Sequence, residues 1–265
     1  MTQIYTLEAA LQFEEVFNSR EWTAVVPAAG RGSRLGMKDK PKILLELEGK
    51  TLLFRILRLL QDCCQRVVLV VNPHFQSMIQ DEAERDFPGL CAFAVQEQPN
   101  GMADAVYHGK KFVNTVHTLV IWGDQVTFQS KTLKACMNLH SLEKASLTLP
   151  TIQVHRPYIN FLRNSSGRII KVEQAREGQI STGIGEADCG VFLFKTERLF
   201  SNIEKLKNNP DCIGRHTGEL NLLPMIPYFE EAEGISTVRL ENSKEAIGIN
   251  TPEDVQTVKN ILNSY

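Results

Sequence analysis

Apolar positions follow two alternating rhythms along the first 150 residues. Runs of valine and other apolar residues cover 23–29 (TAVVPAA), 66–72 (RVVLVVN), 91–96 (CAFAVQ), 117–124 (HTLVIWGD) and 145–151 (ASLTLPT). Uninterrupted runs of this length suit strands whose two faces are both covered. Between them the period lengthens. Leu52, Leu53, Ile56, Leu59 and Leu60 fall on one face of a helix predicted over 51–63, and further helices are predicted over 75–86, 102–113 and 130–140. Strand and helix repeated in this order predict an α/β fold, a Rossmann-like, mostly parallel sheet flanked by helices. In such sheets ligands bind beyond the carboxyl ends of the strands, so the residues following Ala29, Gln96 and Asp124 are expected to converge.

The second half changes character. Residues 158–174 read as two strands around a Ser-Ser-Gly turn, 187–195 as one strand, 235–240 as another, and 218–231 and 252–263 as helices. At the other end, Leu7, Ala10, Leu11, Phe13, Val16 and Phe17 are spaced for an amphipathic helix over 7–17. No linker, repeat or low-complexity stretch divides the chain. The expected organisation is an N-terminal helical extension, 1–20, and one domain, 21–265, whose second half adds a substrate-side lobe.

Composition narrows the partners. The chain has 265 residues and a net charge of −2, with 43% hydrophobic and 23% charged residues. That balance supports a substantial core and gives no global attraction to nucleic acid or membrane. An anionic ligand would need a locally built site. The first 17 residues lack a basic segment followed by an apolar one, and no apolar run is long enough to span a bilayer. The six cysteines show neither C-x-x-C pairing nor zinc spacing and read as reduced thiols of a cytoplasmic protein.

The densest chemistry lies in P-A-A-G-R-G-S-R-L-G (27–36) and K-P-K (40–42). Ala28, Ala29, Gly30, Gly32 and Ser33 keep the chain small, so backbone N–H groups can approach phosphate oxygens. Arg34 offers a planar fork and Lys42 a point charge. A glycine turn between strand and helix also occurs for purely structural reasons; the flanking cations favour a phosphate role. A dinucleotide fingerprint would need glycine where Leu35 stands, and a Walker A loop would need Gly-Lys-Ser/Thr. Asp124, ending a strand, is placed as an oxygen ligand for magnesium, although a strand-end aspartate can equally be a solvated turn residue. Thr251 and Pro252 suit a helix cap and its first position, which leaves Asn250 free. The six histidines show no ligand spacing.

This loop closely resembles the signature of the sugar-phosphate nucleotidyltransferases, the family that includes N-acetylglucosamine-1-phosphate uridyltransferases and glucose-1-phosphate thymidylyl- and adenylyltransferases. V-Q-E-Q-P-N-G-M-A-D-A-V-Y (95–107), W-G-D (122–124), K-V-E-Q (171–174), A-D-C-G-V-F (187–192), T-G-E-L (217–220) and G-I-N-T-P-E-D (248–254) follow in the family's order. The resemblance implies transfer of a nucleoside monophosphate from a triphosphate to a sugar 1-phosphate, with release of pyrophosphate. It assigns the triphosphate to Gly30, Arg34 and Lys42, the base to Gln96, Gly101 and Met102, with Gly123 nearby, and Mg2+ to Asp124 and Asn250. Glu173, Asp188 and Gly190 would line the acceptor pocket, with Ile159 at a position where the uridyltransferases have glycine. Asp188 stands where they have asparagine, and Pro27 where the family commonly has an aliphatic residue. Both acceptor-side departures speak against an N-acetyl sugar. The Gln-x-x-Pro-x-Gly spacing implies a pyrimidine, whereas Ala-Asp-Ala-Val-Tyr also resembles the adenylyltransferases. A cytidylyltransferase with a non-sugar phosphate or phosphonate acceptor, and a non-catalytic nucleotide-sensing module, are the competing expectations. The implied partners are a nucleoside triphosphate and a phosphorylated small molecule, with oligomerisation compatible.

Overall fold

The computed structural model describes residues 2–30, 32, 35–37, 39–179, 183–231 and 233–264. In chain order the strands and helices are β1 (Gln3–Thr6), α1 (Leu7–Ala10), β2 (Trp22–Pro27), β3 (Glu46–Leu47), β4 (Lys50–Thr51), α2 (Leu52–Leu60), β5 (Arg66–Val71), α3 (Gln76–Asp86), β6 (Cys91–Val95), α4 (Met102–His108), β7 (His117–Ile121), α5 (Ser130–Glu143), β8 (Leu147–His155), β9 (Ile159–Arg163), β10 (Ile169–Gln174), β11 (Ile184–Asp188), β12 (Val191–Lys195), α6 (Thr196–Leu206), β13 (Ile235–Leu240) and α7 (Pro252–Leu262). Among the described residues the main sheet has nine strands in the order β1-β13-β8-β12-β7-β2-β5-β6, with β11 also on β8. β7, β2, β5 and β6 are parallel neighbours, as are β1, β13 and β8, while β12 runs antiparallel between the two groups. The expected mostly parallel sheet with helices on both faces is what the chain forms.

The valine-rich runs explain why both faces are covered. Trp22, Ala24 and Val26 of β2 and Val67, Leu69 and Val71 of β5 enter one apolar cluster, together with residues of α2, α3, α5 and α7. Val25, Val68 and Val70 enter a second cluster on the other face, with residues of α4, α6 and the hairpin β9–β10. Successive side chains of a strand point to opposite faces, so an unbroken apolar strand fills two cores at once. All six cysteines are free, and all but half-buried Cys91 are buried.

Three expectations need correction. The helix predicted over 7–17 stops at Ala10, and the residues before it, 3–6, form an edge strand on β13. Beyond the helix, Asn138 takes over the backbone. Its Oδ1 accepts from the N–H groups of Val16 (2.6 Å) and Phe17 (3.0 Å), and its Nδ2 donates to the Glu14 carbonyl (2.6 Å). These long-range bonds replace the ones a helix would make. The segment 218–231 is not an α-helix; it holds a 3-10 run over Leu223–Glu231 that contains Pro227, and proline removes an N–H donor there. The single strand expected over 187–195 is two strands, interrupted where Gly190 takes φ 71°.

At the end of the sheet away from the β2 and β7 carboxyl termini, Trp22 stacks on His117 with ring centroids 4.7 Å apart, and His117 lies 4.9 Å from His140. His140 is fully buried; its Nδ1 meets Thr148 Oγ1 at 2.9 Å. Burial holds both imidazoles below their ordinary value of 6.5, His140 well below; the charge of His117 and of Lys195 lowers His140 further, while at His117 Glu21 opposes the fall and Lys195 adds to it. The folded chain therefore keeps them neutral while the unfolded chain protonates. Their contribution is complete above pH 6.5 and is lost as pH falls below it, at about 1.4 kcal/mol per pH unit for each proton. Denaturant titrations at pH 5 and pH 7.5 are expected to show this loss, and His140→Gln to reduce the difference between the two pH values.

Candidate active site

Three separate segments meet at the carboxyl end of β2 and β7. After β2, the Ala28 N–H is held by the Val70 carbonyl (2.7 Å) and the chain turns through Ala29 and Gly30. A side chain on Gly30 would meet nothing within 4 Å, so this stretch of backbone faces open space. The loop then folds back on itself. Lys42 N–H donates to the Gly30 carbonyl (3.2 Å), and Leu35 N–H to the Gly32 carbonyl (2.9 Å). Ser33 and Arg34, two of the predicted phosphate ligands, lie outside the described residues. Beyond β7, Gly123 crosses so close to β2 that a Cβ would stand 2.9 Å from the Pro27 carbonyl oxygen. Glycine at 123 therefore has a packing reason, and it delivers Asp124 beside the loop.

The Lys42 ammonium forms an ion pair with Asp124 Oδ2 and also reaches Asn250 Oδ1 at 3.4 Å. Both charged side chains remain partly exposed. Gly248 lies against the Asp124 carboxylate, where a Cβ would stand 3.5 Å from each oxygen. Asn250 is presented by the start of α7. As expected, Thr251 caps that helix, with Thr251 Oγ1 accepting from Asp254 N–H (3.3 Å) and Asp254 Oδ2 accepting from Thr251 N–H (2.8 Å) in a capping box. The cap is satisfied without the Asn250 side chain. Asp124 and Asn250 thus offer two oxygen donors around a cation, the hard-ligand set magnesium prefers.

Gln125 is the residue sequence reasoning missed. It is buried; its Nε2 donates to the carbonyls of Cys189 (2.6 Å) and Glu245 (3.1 Å), and its Oε1 accepts from Thr127 Oγ1 (3.0 Å). Glu245, also buried, accepts from Gln129 N–H at 3.0 Å. These bonds fasten the β7 end to the turn at 189–190 and to the stretch leading to Asn250. The only local signal was a long polar side chain directly after a strand-end acid.

At the end of β6, Gln96 is buried and bonded to the loop before α4 and to its first turn. Gly101 adopts φ 113°, and a Cβ there would overlap the Leu220 carbonyl and stand 2.6 Å from the Leu220 nitrogen. Leu220 in turn donates to the Asn100 carbonyl (2.7 Å) and accepts from Ala103 N–H (3.0 Å). Met102 opens α4.

On the acceptor side, the hairpin β9–β10 pairs Asn160 with Glu173 and Ile159 with Gln174. Glu173 accepts from Asn160 Nδ2 at 3.3 Å and pairs with Lys171 at 3.4 Å. Ile159 was expected to fill the acceptor pocket. Instead its side chain is buried with Phe161 and Val172 in the second apolar cluster, on the hairpin face opposite Glu173. A register shift between Ile169 and Lys171 sets Asn160, not Ile159, beside Glu173, and the alternation of strand side chains then turns Ile159 to the other face. Asp188 ends β11 and its Oδ2 accepts from Gly190 N–H at 2.9 Å. Burial pushes the Asp188 carboxyl up to about 6, the Asp124 charge adding to the rise and hydrogen bonds from the backbone and Trp122 opposing it. Gly190 packs under the Trp122 ring, where a Cβ would stand 3.1 Å from it. On the same side Arg176 pairs with Glu219 (2.9 Å) and Glu177 (3.7 Å).

Among the described residues no cluster of three or more His, Cys, Asp or Glu side chains could hold a metal, and no helix is long and apolar enough to cross a membrane. The family model for the MobA-like NTP transferase domain matches residues 24–211. The chain is 27% identical over 237 residues to the bifunctional protein GlmU of Streptococcus mutans, covering 86% of this chain and 49% of that protein. With the bifunctional protein GlmU of Streptococcus suis it shares 27% over 245 residues, 90% of this chain and 51% of the relative. It therefore spans about half the length of these curated relatives. Its fold is similar to a Bacillus anthracis protein assigned as a glucose-1-phosphate thymidylyltransferase, solved in complex with a sucrose. The TM-score is 0.73 at 18% identity, covering 92% of this chain and 96% of that one.

Proposed function

The chain belongs to the MobA-like NTP transferase family, and on that premise we propose that it transfers a nucleoside monophosphate from a pyrimidine triphosphate to a sugar 1-phosphate, releasing pyrophosphate with the help of magnesium. The observation that carries the reading is the convergence of Lys42, Asp124 and Asn250 from three distant segments at one strand end. Two anions must meet in this reaction, so catalysis is chiefly neutralisation and positioning. A phosphate oxygen of the acceptor attacks the α-phosphorus, a new P–O bond forms, and the bond to the departing pyrophosphate breaks.

The backbone at Ala28–Gly30 would cradle the triphosphate, and Lys42, with Arg34, would balance charge on the α-phosphate and leaving group. Lys42's flexible stem allows its ammonium to move between Asp124 and a phosphate oxygen. The Lys42 ammonium, a cation seated between Asp124 and Asn250, supports the reading that their oxygens suit a positive ion. Those two residues would hold magnesium, which would add positive charge at the phosphate oxygens. Gln96, Gly101 and Met102 would meet the base, and Glu173, Asp188, Gly190 and Asn160 the acceptor.

Pyrophosphate release, measured over UTP, CTP, dTTP, ATP and GTP against several phosphorylated acceptors with and without magnesium, tests this. Turnover is expected to need magnesium and to favour a pyrimidine. N-acetylglucosamine 1-phosphate is expected to be a poorer acceptor than glucose 1-phosphate. Ile159 is buried in the core, so this expectation rests on Asp188. An ionised carboxylate only accepts hydrogen bonds, so a carbonyl oxygen beside it goes unpaired at about 1–3 kcal/mol, a fall in kcat/KM of about fivefold to a hundredfold or more. A purine triphosphate as best donor refutes the base assignment, and the N-acetyl sugar as best acceptor refutes the Asp188 argument. Absence of pyrophosphate with every pair refutes the enzyme.

A further inference from the structure

We propose that Asp104 is a positioning residue that decides which atom of Gln96 meets the base, an inference that rests on the nucleotidyltransferase reading above. Gln96 lies at the end of β6 and is only 5% exposed. Its Nε2 donates to Asp104 Oδ2 at 2.7 Å and to the Gly101 carbonyl at 3.1 Å. A carbonyl oxygen and a carboxylate can only accept. The amide therefore has one orientation compatible with its neighbours, nitrogen toward both. An amide nitrogen carries two protons, and both are used. What remains to the base is Oε1, a pure acceptor.

That restriction matters because pyrimidines differ at the edge a glutamine would touch. Uracil and thymine carry one ring N–H between two carbonyls; cytosine carries an amino group beside a bare ring nitrogen. A glutamine free to turn its amide can present a donor or an acceptor and so tolerate both patterns. A glutamine locked by Asp104 presents one atom type at one place and matches one pattern only. Rejection by an unpaired polar group is the stronger form of discrimination, since neither partner recovers its hydrogen bond elsewhere.

Asp104 also has local roles. It lies in the first turn of α4, where a carboxylate favours the helix dipole, and His108 Nε2 is 3.4 Å from it, one turn on. Neither role calls for the short bond to a glutamine eight residues earlier on the sheet. A carboxylate serving only the helix end could point to solvent.

The test compares wild type with Asp104→Leu, which keeps the bulk and removes both oxygens, and with Asp104→Asn, which keeps an accepting oxygen. Equilibrium binding of UTP and of CTP is measured with magnesium present, alongside turnover, the acceptor KM and thermal unfolding. Wild type is expected to separate the two nucleotides by about tenfold or more, the scale for one unpaired buried polar group. Asp104→Leu is expected to weaken the preferred nucleotide by a similar factor and bring the two together, with the acceptor KM unmoved. Asp104→Asn is expected to retain most of the separation. The proposal is overturned if Asp104→Leu still discriminates, if Asp104→Asn loses as much as Asp104→Leu, or if only thermal stability changes. Turnover by a wild type whose Asp104→Leu variant still discriminates sinks this inference alone; a wild type that neither binds nor turns over any triphosphate sinks the functional reading with it.

Discussion

Asp124→Asn is expected to lower the rate of pyrophosphate formation by about a thousandfold, the upper range for removing one preorganised charge from a phosphoryl-transfer site. The substitution keeps the size of the side chain and leaves its surroundings intact. Gln125, Cys189 and Glu245, which hold this strand end in place, do not bond to the Asp124 carboxylate. The fold is therefore expected to survive, with an unchanged circular dichroism spectrum and an unfolding midpoint close to wild type. The variant also leaves Lys42 without its anionic partner. Raising magnesium is expected to recover little of the rate, because the asparagine oxygen is neutral and holds a divalent ion weakly. A near-normal rate at limiting magnesium would remove Asp124 from the metal assignment.

Lys42→Ala is the second large effect. Loss of this ammonium is expected to cost about 2–4 kcal/mol of transition-state stabilisation, seen as a fall in kcat larger than any rise in KM. Its partners make a sharper measurement available. Lys42 touches both Asp124 and Asn250, so it and Asp124 act as one unit and their effects are not expected to add. The double variant Lys42→Ala/Asp124→Asn is expected to be about as slow as the slower single variant. Strict additivity of the two losses, read from kcat/KM in a full cycle, would show that the two groups act on the reaction independently. Wild-type turnover in Lys42→Ala would place the phosphate loop elsewhere in the chain.

The elements that position this site were readable because each has a local cause. Strands β2, β5, β6 and β7 announce themselves as apolar runs, and the capping box at Thr251 as a polar pattern before a helical one. Asp124, Lys42 and Asn250 could be singled out because each stands at an element end, with motif order supplying what spacing alone did not. The misreadings arise where long-range bonds decide. Nothing in QIYT (3–6) marks a strand, since its residues alternate no apolar face and its pairing partner, β13, comes more than 200 residues later. The helix over 7–17 is cut short by Asn138, a side chain more than 100 residues away. Gln125 and Glu245 are buried polar links whose value exists only once three segments have met. Ile159 is a different failure. Counted back regularly from the Arg163–Ile169 pair, Ile159 would face Glu173, and only the register shift between Ile169 and Lys171, which the strand period does not announce, sets Glu173 opposite Asn160.

The contact between Gly101 and Leu220 bears on how variation at this position is to be interpreted. Any side chain at 101 collides with the backbone of a segment 119 residues downstream, and the collision occurs whether or not a nucleotide is present. In a library of substitutions, position 101 would be depleted by screens for soluble protein before any screen for base preference was applied. A glycine kept here by descendants of this sequence would record a demand of folding first. Evidence about nucleotide choice would have to come from neighbours such as Met102, whose side chain is not under the same backbone veto.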